Sequence, residues 1–304
     1  MGVLRDREEN ETGEVATSNT QIARKALAPR LWKHVKVVIS YGICVIGAVI
    51  ILIPIIWMLS SSLKPASQLF KYPIIWIPKP FMWVNYQKAL SAFPFLLYTK
   101  NTLIIAIGSI IGDVLSCSLV AYSFARFRYP GRDALFIIVL CTTMIPYPVT
   151  LIPQFLLFKY LHFIDTYLPL ILPAYLAYPI WVFLLRQFFM TIPDELDKAA
   201  LVDGAGFFRI YWQILMPLAM PALITIAIFS FVYHWNDFLL PLVYLNSQPK
   251  FTVSLGLRVF QGLYLTRWEQ VMAACTVALV PPLVLFIVAQ RYFVKGIVMT
   301  GIKG

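Results

Sequence analysis

The sequence predicts an all-α, polytopic membrane protein with six transmembrane helices, on three observations. Hydrophobic residues make up 60% of its 304 positions and charged residues 13%, a balance with mean hydropathy +0.77 that no single water-soluble core can hide. The apolar residues fall in runs long enough to cross a bilayer, which takes about 20 residues of helix. The charged residues gather in the segments between those runs.

In chain order, residues 1–33 are polar and read as a cytosolic tail ahead of a transmembrane domain at 34–304. The first apolar run, Val37–Leu63, is 27 residues long, well beyond the apolar stretch of a cleavable leader, so it reads as a span. Asn101–Ala125 is the second span and carries Asp113 near its middle. Ala134–Phe158 is the third, and its Pro146, Pro148 and Pro153 imply kinks or local unwinding. Such backbone is tolerated only where it packs in protein or lines a cavity. Tyr167–Leu185 is the fourth span. The fifth runs from about Ile214 to Leu245 with His234 and Asp237 inside it, and Val271–Gln290 is the sixth.

With the N-terminus in the cytosol, 16 of the 25 Lys and Arg fall on the inner side and nine on the outer, which favours both termini inside. Five of the outer nine, Lys64, Lys71, Lys79, Lys88 and Lys100, crowd the first outer loop. The net charge of +11 is then a matter of topology and anionic lipid, and no basic stripe suggests nucleic acid.

The motif search excludes more than it finds. Cys44, Cys117, Cys141 and Cys275 all lie in predicted spans without metal-ligand spacing, so they read as small apolar residues. No Gly-Lys pair occurs, hence no phosphate-binding P-loop, and no GxGxxG, HExxH or GxSxG appears. His34, His162 and His234 sit in three separate segments. The chain therefore reads as having no catalytic residues, no metal site and no cofactor of its own, and any ATP that drives it must bind another subunit.

The charged island at Thr191–Pro217 is the most specific feature. Thr191 is an acceptable N-cap, Asp194 can reach back to it, and Pro193 falls in the first turn. Ile192, Leu196, Ala199 and Ala200 then form one apolar stripe, with Asp194, Glu195, Asp197 and Lys198 facing elsewhere. Gly204 can take the left-handed conformation that ends a helix. Phe207, Tyr211, Ile214 and Leu215 repeat the stripe, and Pro217 opens the fifth span. The spacing predicts a helix, a Gly turn and a second helix on the cytosolic face. Periodicity alone fits an amphipathic hairpin lying on its own bundle.

The residues within the island are more particular. Lys198-Ala-Ala, three residues, Gly204, nine residues, then Ile214-Leu-Met-Pro217 resembles the cytoplasmic loop of binding-protein-dependent ABC importer permeases, whose pattern is Glu-Ala-Ala, three residues, Gly, nine residues, Ile-x-Leu-Pro. The likeness extends over about residues 80–304 and points to the carbohydrate-uptake branch, the maltose-type second permease subunit. Its marks are Asn85-Tyr86, Asn101-Thr102, Ala125-Arg126-Phe127, Pro130-Gly131-Arg132, Met144-Ile145-Pro146, Arg186-Gln-Phe-Phe189, Trp235-Asn-Asp-Phe238, Gln290-Arg-Tyr-Phe-Val-Lys-Gly296 and Gly301-Ile-Lys-Gly304. Lys198 stands where the pattern has Glu, and Met216 where it has Leu.

The resemblance implies a type I importer bundle that moves sugars or related solutes by alternating access, paired with a homologous permease. Its further partners would be two cytosolic ATPase subunits that bind ATP and Mg and an extracellular or periplasmic solute-binding protein, at the plasma (inner) membrane. It also implies that the 191–217 loop docks on the ATPase, through Glu195, Lys198, Ala199, Ala200, Asp203, Gly204, Ala205, Ile214 and Pro217. Asp113 faces the bundle interior or water, or is partnered, because a mid-bilayer carboxylate costs about 2.5–3.5 kcal/mol on insertion scales. A structural bond between helices is its plain alternative. Tyr233, Trp235, Asn236 and Asp237, with Asp113, are the candidates for the substrate path, since rings beside amide and carboxylate groups suit a sugar. For Trp235 an aromatic belt is the alternative. A secondary carrier driven by an ion gradient is the competing function; the cytosolic loop counts against it.

Overall fold

The computed structural model describes residues 36–260 and 266–301, with side chains as far as Gln290, and its regular elements are helices. The tail at 1–33 lies outside the described residues, as do His34 and the side chains of Arg291, Lys295 and Lys303. Four of the described helices are long and apolar enough to cross a membrane, or six if each of two bent pairs is one span.

The chain divides into two units at Ser60–Ser61. The described part of the first is a single helix, Lys36–Ser62, of 27 residues, whose last two cross the boundary.

The second unit is built on the second span, Phe95–Arg126, an unbroken helix of 32 residues. It packs against the fourth span and the fifth. Polar side chains buried along it, among them Asn101, Thr102, Ser109, Asp113 and Ser118, find partners on those neighbours or on the loops, as buried polar groups must. At one end Asn101 Nδ2 donates to the carbonyls of Pro249 (2.8 Å) and Phe251 (2.9 Å), and Thr102 Oγ1 accepts from the N–H of Val253 at 3.0 Å. Asn85 does the same for the loop after the first span, its Nδ2 meeting the carbonyls of Ser62 and Lys64, each at 2.9 Å.

The third span is not one straight helix. Arg132–Met144 and Tyr147–Tyr160 meet at 95°. The break is at Ile145, which is extended, with Pro146 capping the next helix and Pro148 in its first turn, where a missing N–H leaves nothing unpaired; Pro153 lies inside that helix. Thr142 and Thr143 satisfy the carbonyls of Val139 and Leu140 at the break, each at 2.7 Å.

The fourth span, Leu168–Thr191, runs six residues past the predicted end. Leu172–Leu176 tightens into a 3-10 turn and Ala177 is left-handed, φ 58°. Ser116 of the second span bridges this interruption, donating to the Ala174 carbonyl (3.0 Å) and accepting from the Ala177 N–H (3.2 Å).

The fifth span ends short of the predicted Leu245. Its straight part is Met220–Asn236, bent by 76° from the preceding Phe207–Leu218, and the two helices are long and apolar enough to cross a membrane only when taken together. Pro217 belongs to the helix before the bend, so Pro221, in the first turn, opens the span. Asp237 is extended, and a short helix, Leu239–Tyr244, follows.

The sixth helix, Trp268–Gly301, contains Pro281 and Pro282. A proline at 282 has no N–H to return to the carbonyl four residues earlier, Ala278, and the indole Nε1 of Trp235 fills that vacancy at 3.0 Å. Of the four thiols, all free, Cys117 is buried, Cys275 half-buried, and Cys44 and Cys141 are exposed on their helices.

Candidate functional site: the hairpin between the fourth and fifth spans

The charged island forms the predicted hairpin, with its first helix starting later than the sequence suggested. The helix is Glu195–Val202 and its N-cap residue is Asp194. Thr191 is no cap: it ends the fourth span, its hydroxyl donating back to the Phe188 carbonyl at 2.7 Å. Pro193 lies in the link between the two helices, not in a first turn. Asp194 makes no capping bond because its carboxylate is taken by Lys198, Nζ to Oδ2 3.2 Å. Glu195 and Asp197 in the first turn are well placed against the positive end of the helix dipole.

The Gly turn is a full Schellman closure. Gly204 has φ 80°, its N–H donates to the Leu201 carbonyl (3.1 Å), and the Ala205 N–H donates to the Ala200 carbonyl (2.9 Å). Open space surrounds the point where a Cβ on Gly204 would sit, so the position requires a backbone conformation and not a close approach. The second helix, Phe207–Leu218, widens into a π turn at Tyr211–Leu215 just before Pro217. The wider turn accommodates a ring that would otherwise press on the preceding turn.

Burial corrects the predicted stripe. Ala200, Ile192, Ile210, Tyr211 and Leu215 are buried together with Tyr122 and Phe124 of the second span. Leu196 and Ala199, predicted inward, face out. Asp197, predicted outward, turns in: its Oδ2 lies 2.9 Å from Arg126 Nε, with 14% and 10% of the two side chains exposed. The reason is Arg126 itself, which ends the second span under the hairpin and also donates from Nη2 to the Ile192 carbonyl at 3.0 Å. Burial pushes the Asp197 carboxyl above its ordinary value; Arg126 opposes that shift, and the nearby Asp194 adds to it. Asp194, in the open, is drawn below its ordinary value chiefly by Lys198.

The hairpin's outer surface carries large apolar side chains. Val202 is 88% exposed, Phe208 70% and Trp212 52%, beside Leu196, Leu201 and Phe207. Among the other predicted residues, Glu195, Lys198, Asp203 and Pro217 are exposed, Ala205 and Ile214 half-buried. Apolar residues of this size, bordered by charges, mark a surface that a partner protein or lipid covers.

Among the predicted path residues, Tyr233 lies within electrostatic reach of both Asp113 and Asp237. Asp113 is buried and accepts a 2.6 Å hydrogen bond from Ser230 of the fifth span, the helix-to-helix tie that was its plain alternative. Trp235 is buried, stacked on Phe231 at 5.4 Å and tied to the sixth helix. Asp237 Oδ1 accepts from the Leu240 N–H at 3.2 Å, opening the short helix. Asn236 is exposed, its amide donating to the Val232 carbonyl at 2.8 Å, and Tyr233 is exposed beside His234.

Residues 114–299 match the family model described as binding-protein-dependent transport system inner membrane component. The chain belongs to that family. This permease is 35% identical to the sn-glycerol-3-phosphate transport system permease protein UgpE of Yersinia pestis, over 84% of this chain and 93% of that protein. It is 33% identical to the arabinooligosaccharides transport system permease protein AraQ of Halalkalibacterium halodurans, with the same coverage. Its fold is similar to a chain in the crystal structure of a bacterial ABC transporter involved in the import of the acidic polysaccharide alginate. There the TM-score is 0.74 at 22% identity, covering 84% of this chain and 95% of that one. The permease is thus a membrane component of an ABC importer of the type I fold, and the secondary-carrier alternative falls.

Sequence reasoning about the permease missed Arg126 and Asp197 as a pair. They lie 71 positions apart, and the available signal was the Ala125-Arg126-Phe127 motif at the end of an apolar span; Tyr122, whose hydroxyl donates to the Phe207 carbonyl at 3.1 Å, had no signal of its own.

Proposed function

We propose that this permease serves an importer of sugars or related polyhydroxylated solutes, with both termini in the cytosol and the 191–217 hairpin seated on an ATPase subunit. The observation that carries the reading is the hairpin's outer surface: apolar side chains from Leu196 to Trp212 exposed on a charged segment between spans. Glu195, Lys198 and Ala199 border that surface, while Ala200, Gly204 and Ala205 shape the hairpin from behind. A homologous permease would complete the path, and a solute-binding protein would deliver the solute on the far side. ATP and Mg would be held by the ATPases, which shift the pair between inward and outward states only as far as ATP binds those states unequally. The relatives' glycerol phosphate and arabinooligosaccharide specificities support a polyhydroxylated solute. Tyr233 and Asn236, exposed at one end of the fifth span, are the residues of this chain best placed to line its path.

Co-purification from membranes tests the dock. Leu196→Asp and Val202→Asp, both at exposed positions, are expected to leave insertion unchanged and lower ATPase recovery at least tenfold. Wild-type recovery with both would sink the docking assignment. Uptake tests the path: alanine at Tyr233 or Asn236 should lower uptake per assembled complex, and unchanged uptake in both would assign solute contact to the partner permease.

A further inference from the structure

Both covalent links of the hairpin are interrupted. The link from the fourth span, Ile192–Asp194, leaves the helix in extended conformation at Ile192, and the link to the fifth bends by 76° around Ala219. A movement of the hairpin passed along either would be absorbed at these joints. The second span has no such joint between Phe95 and Arg126.

One face of that helix holds the hairpin at three successive levels. Ser118, Tyr122 and Arg126 are spaced by four residues, which on a helix places them in a row. Ser118 Oγ lies 2.7 Å from the hydroxyl of Tyr211. Tyr122 OH donates to the Phe207 carbonyl at 3.1 Å. Arg126 pairs with Asp197 at 2.9 Å and donates to the Ile192 carbonyl at 3.0 Å. The row thus grips the second hairpin helix twice and the first helix once. The Asp197–Arg126 contact is nearly closed to water; it is a charge pair and not an aligned hydrogen bond, since Arg126 Nε and Asp197 Oδ1 have no hydrogen-bond partner among the described residues, and either side chain alone would be a buried uncompensated charge. Farther along, the same helix reaches the interrupted fourth span through Ser116 and the fifth span through the Asp113–Ser230 bond.

We propose that Ser118, Tyr122 and Arg126 of the second span, with Asp197 of the hairpin, are positioning residues that make the hairpin and this span move as one body. The second span, and not the hairpin's own connections, then delivers ATPase movement to the middle of the bundle. The proposal rests on the hairpin being the ATPase dock, but concerns what lies behind it.

The test uses the assembled importer, with both permeases, ATPases and binding protein, reconstituted in proteoliposomes, and measures solute moved per ATP hydrolysed. Asp197→Asn keeps the shape of the side chain and removes its charge. It is expected to retain the ATPases at wild-type level, because the exposed face is untouched, and to lower solute moved per ATP at least tenfold. Exchange of the pair, Arg126→Asp with Asp197→Arg, should recover at least a third of the wild-type ratio, which a merely structural loss would not do. Tyr122→Phe, which removes one hydroxyl, should lower the ratio two- to fivefold. A wild-type ratio in Asp197→Asn overturns the proposal; should that variant fail to assemble, a wild-type ratio in Tyr122→Phe does so instead. Loss of the dock would show differently, as wild-type ATPase recovery in Leu196→Asp and Val202→Asp.

Discussion

At the end of the bundle that holds residues 161–167 and 245–253, side chains close on the chain's own backbone. Asp165 Oδ1 accepts from the N–H groups of Asn246 and Ser247, each at 2.9 Å, and Oδ2 takes the Ser247 hydroxyl at 2.6 Å and Lys250 Nζ at 2.9 Å. Asn101 and Thr102 hold the next residues from below. At the hairpin end the polar bonds lie underneath, on Ser118, Tyr122 and Arg126, and the outward side is apolar and bare. A loop whose groups are satisfied by its own chain keeps its shape with or without a partner. A hairpin fixed from behind and uncovered in front has its shape ready without a partner, which fits the proposed dock.

The largest effect should come from breaking the hairpin's shape while leaving its surface composition alone. A β-branched residue at φ 80° costs about 1–2 kcal/mol, and the Schellman bonds would be lost with it. Gly204→Val is expected to insert normally and to abolish stimulation of the importer's ATPase by loaded binding protein. Normal stimulation with normal complex recovery would mean that the turn is not part of coupling.

Next is the opposite end. Asn101→Ala leaves two backbone carbonyls without their donor, a loss of about 1–3 kcal/mol where the group stays buried. Amide exchange at residues 250–253 should rise at least tenfold, with exchange in the hairpin unchanged. Faster exchange at both ends would show that the two are not independently held.

Asp165 sharpens the contrast through pH. Its bonds to Lys250, Ser247 and Asn246 hold the carboxyl well below the usual carboxylate range. A depressed carboxyl contributes stability that is fully present above the unfolded value, near 3.9, and is lost as pH falls through the lower folded value. Exchange protection of residues 246–248 and 250 should therefore be flat from neutral pH down to about 4, and fail only in stronger acid. Asp165→Asn should show weaker protection at neutral pH and none of that acid dependence. A wild-type loop that loosens between pH 7 and 5 would contradict the bonding pattern.

The smallest effect is expected at Lys198. Its pair with Asp194 is exposed and spaced i, i+4, an arrangement that contributes little in water. Lys198→Glu should change ATPase recovery by less than threefold. A larger loss that shrinks in high salt, as exposed charges are screened, would show that the ATPase presents an acidic surface at this point. A gain would show that it presents a basic one.

The parts of this molecule legible in the sequence are those fixed by local rules or by solvent. Six apolar runs set four straight spans, or six counting each bent pair as one, because lipid demands length and hydropathy of each run separately, and Gly204 ended its helix as read because only its own φ was at stake. The helix starting at Glu195 in place of Thr191 was not legible: the fourth span continued through the proposed cap, and Lys198 took the carboxylate meant to assist it. Trp235 shows the same limit. A ring near the end of a span suits a sugar or a bilayer interface, and nothing local says that Pro282 of another helix leaves a carbonyl for it.

The sequence by itself thus determined the solvent, the spans, the hairpin with its turn, and through its spacing the family. Tertiary structure alone decided which face of the hairpin is buried. Periodicity assigns apolar residues inward and charges outward, but Arg126, brought beneath the hairpin by a helix 71 positions earlier in the chain, gives Asp197 a partner inside and offsets part of the cost of burying it, while Leu196 stays out. A buried charge is stable only where its partner already stands, and where the partner stands is a fact of three dimensions.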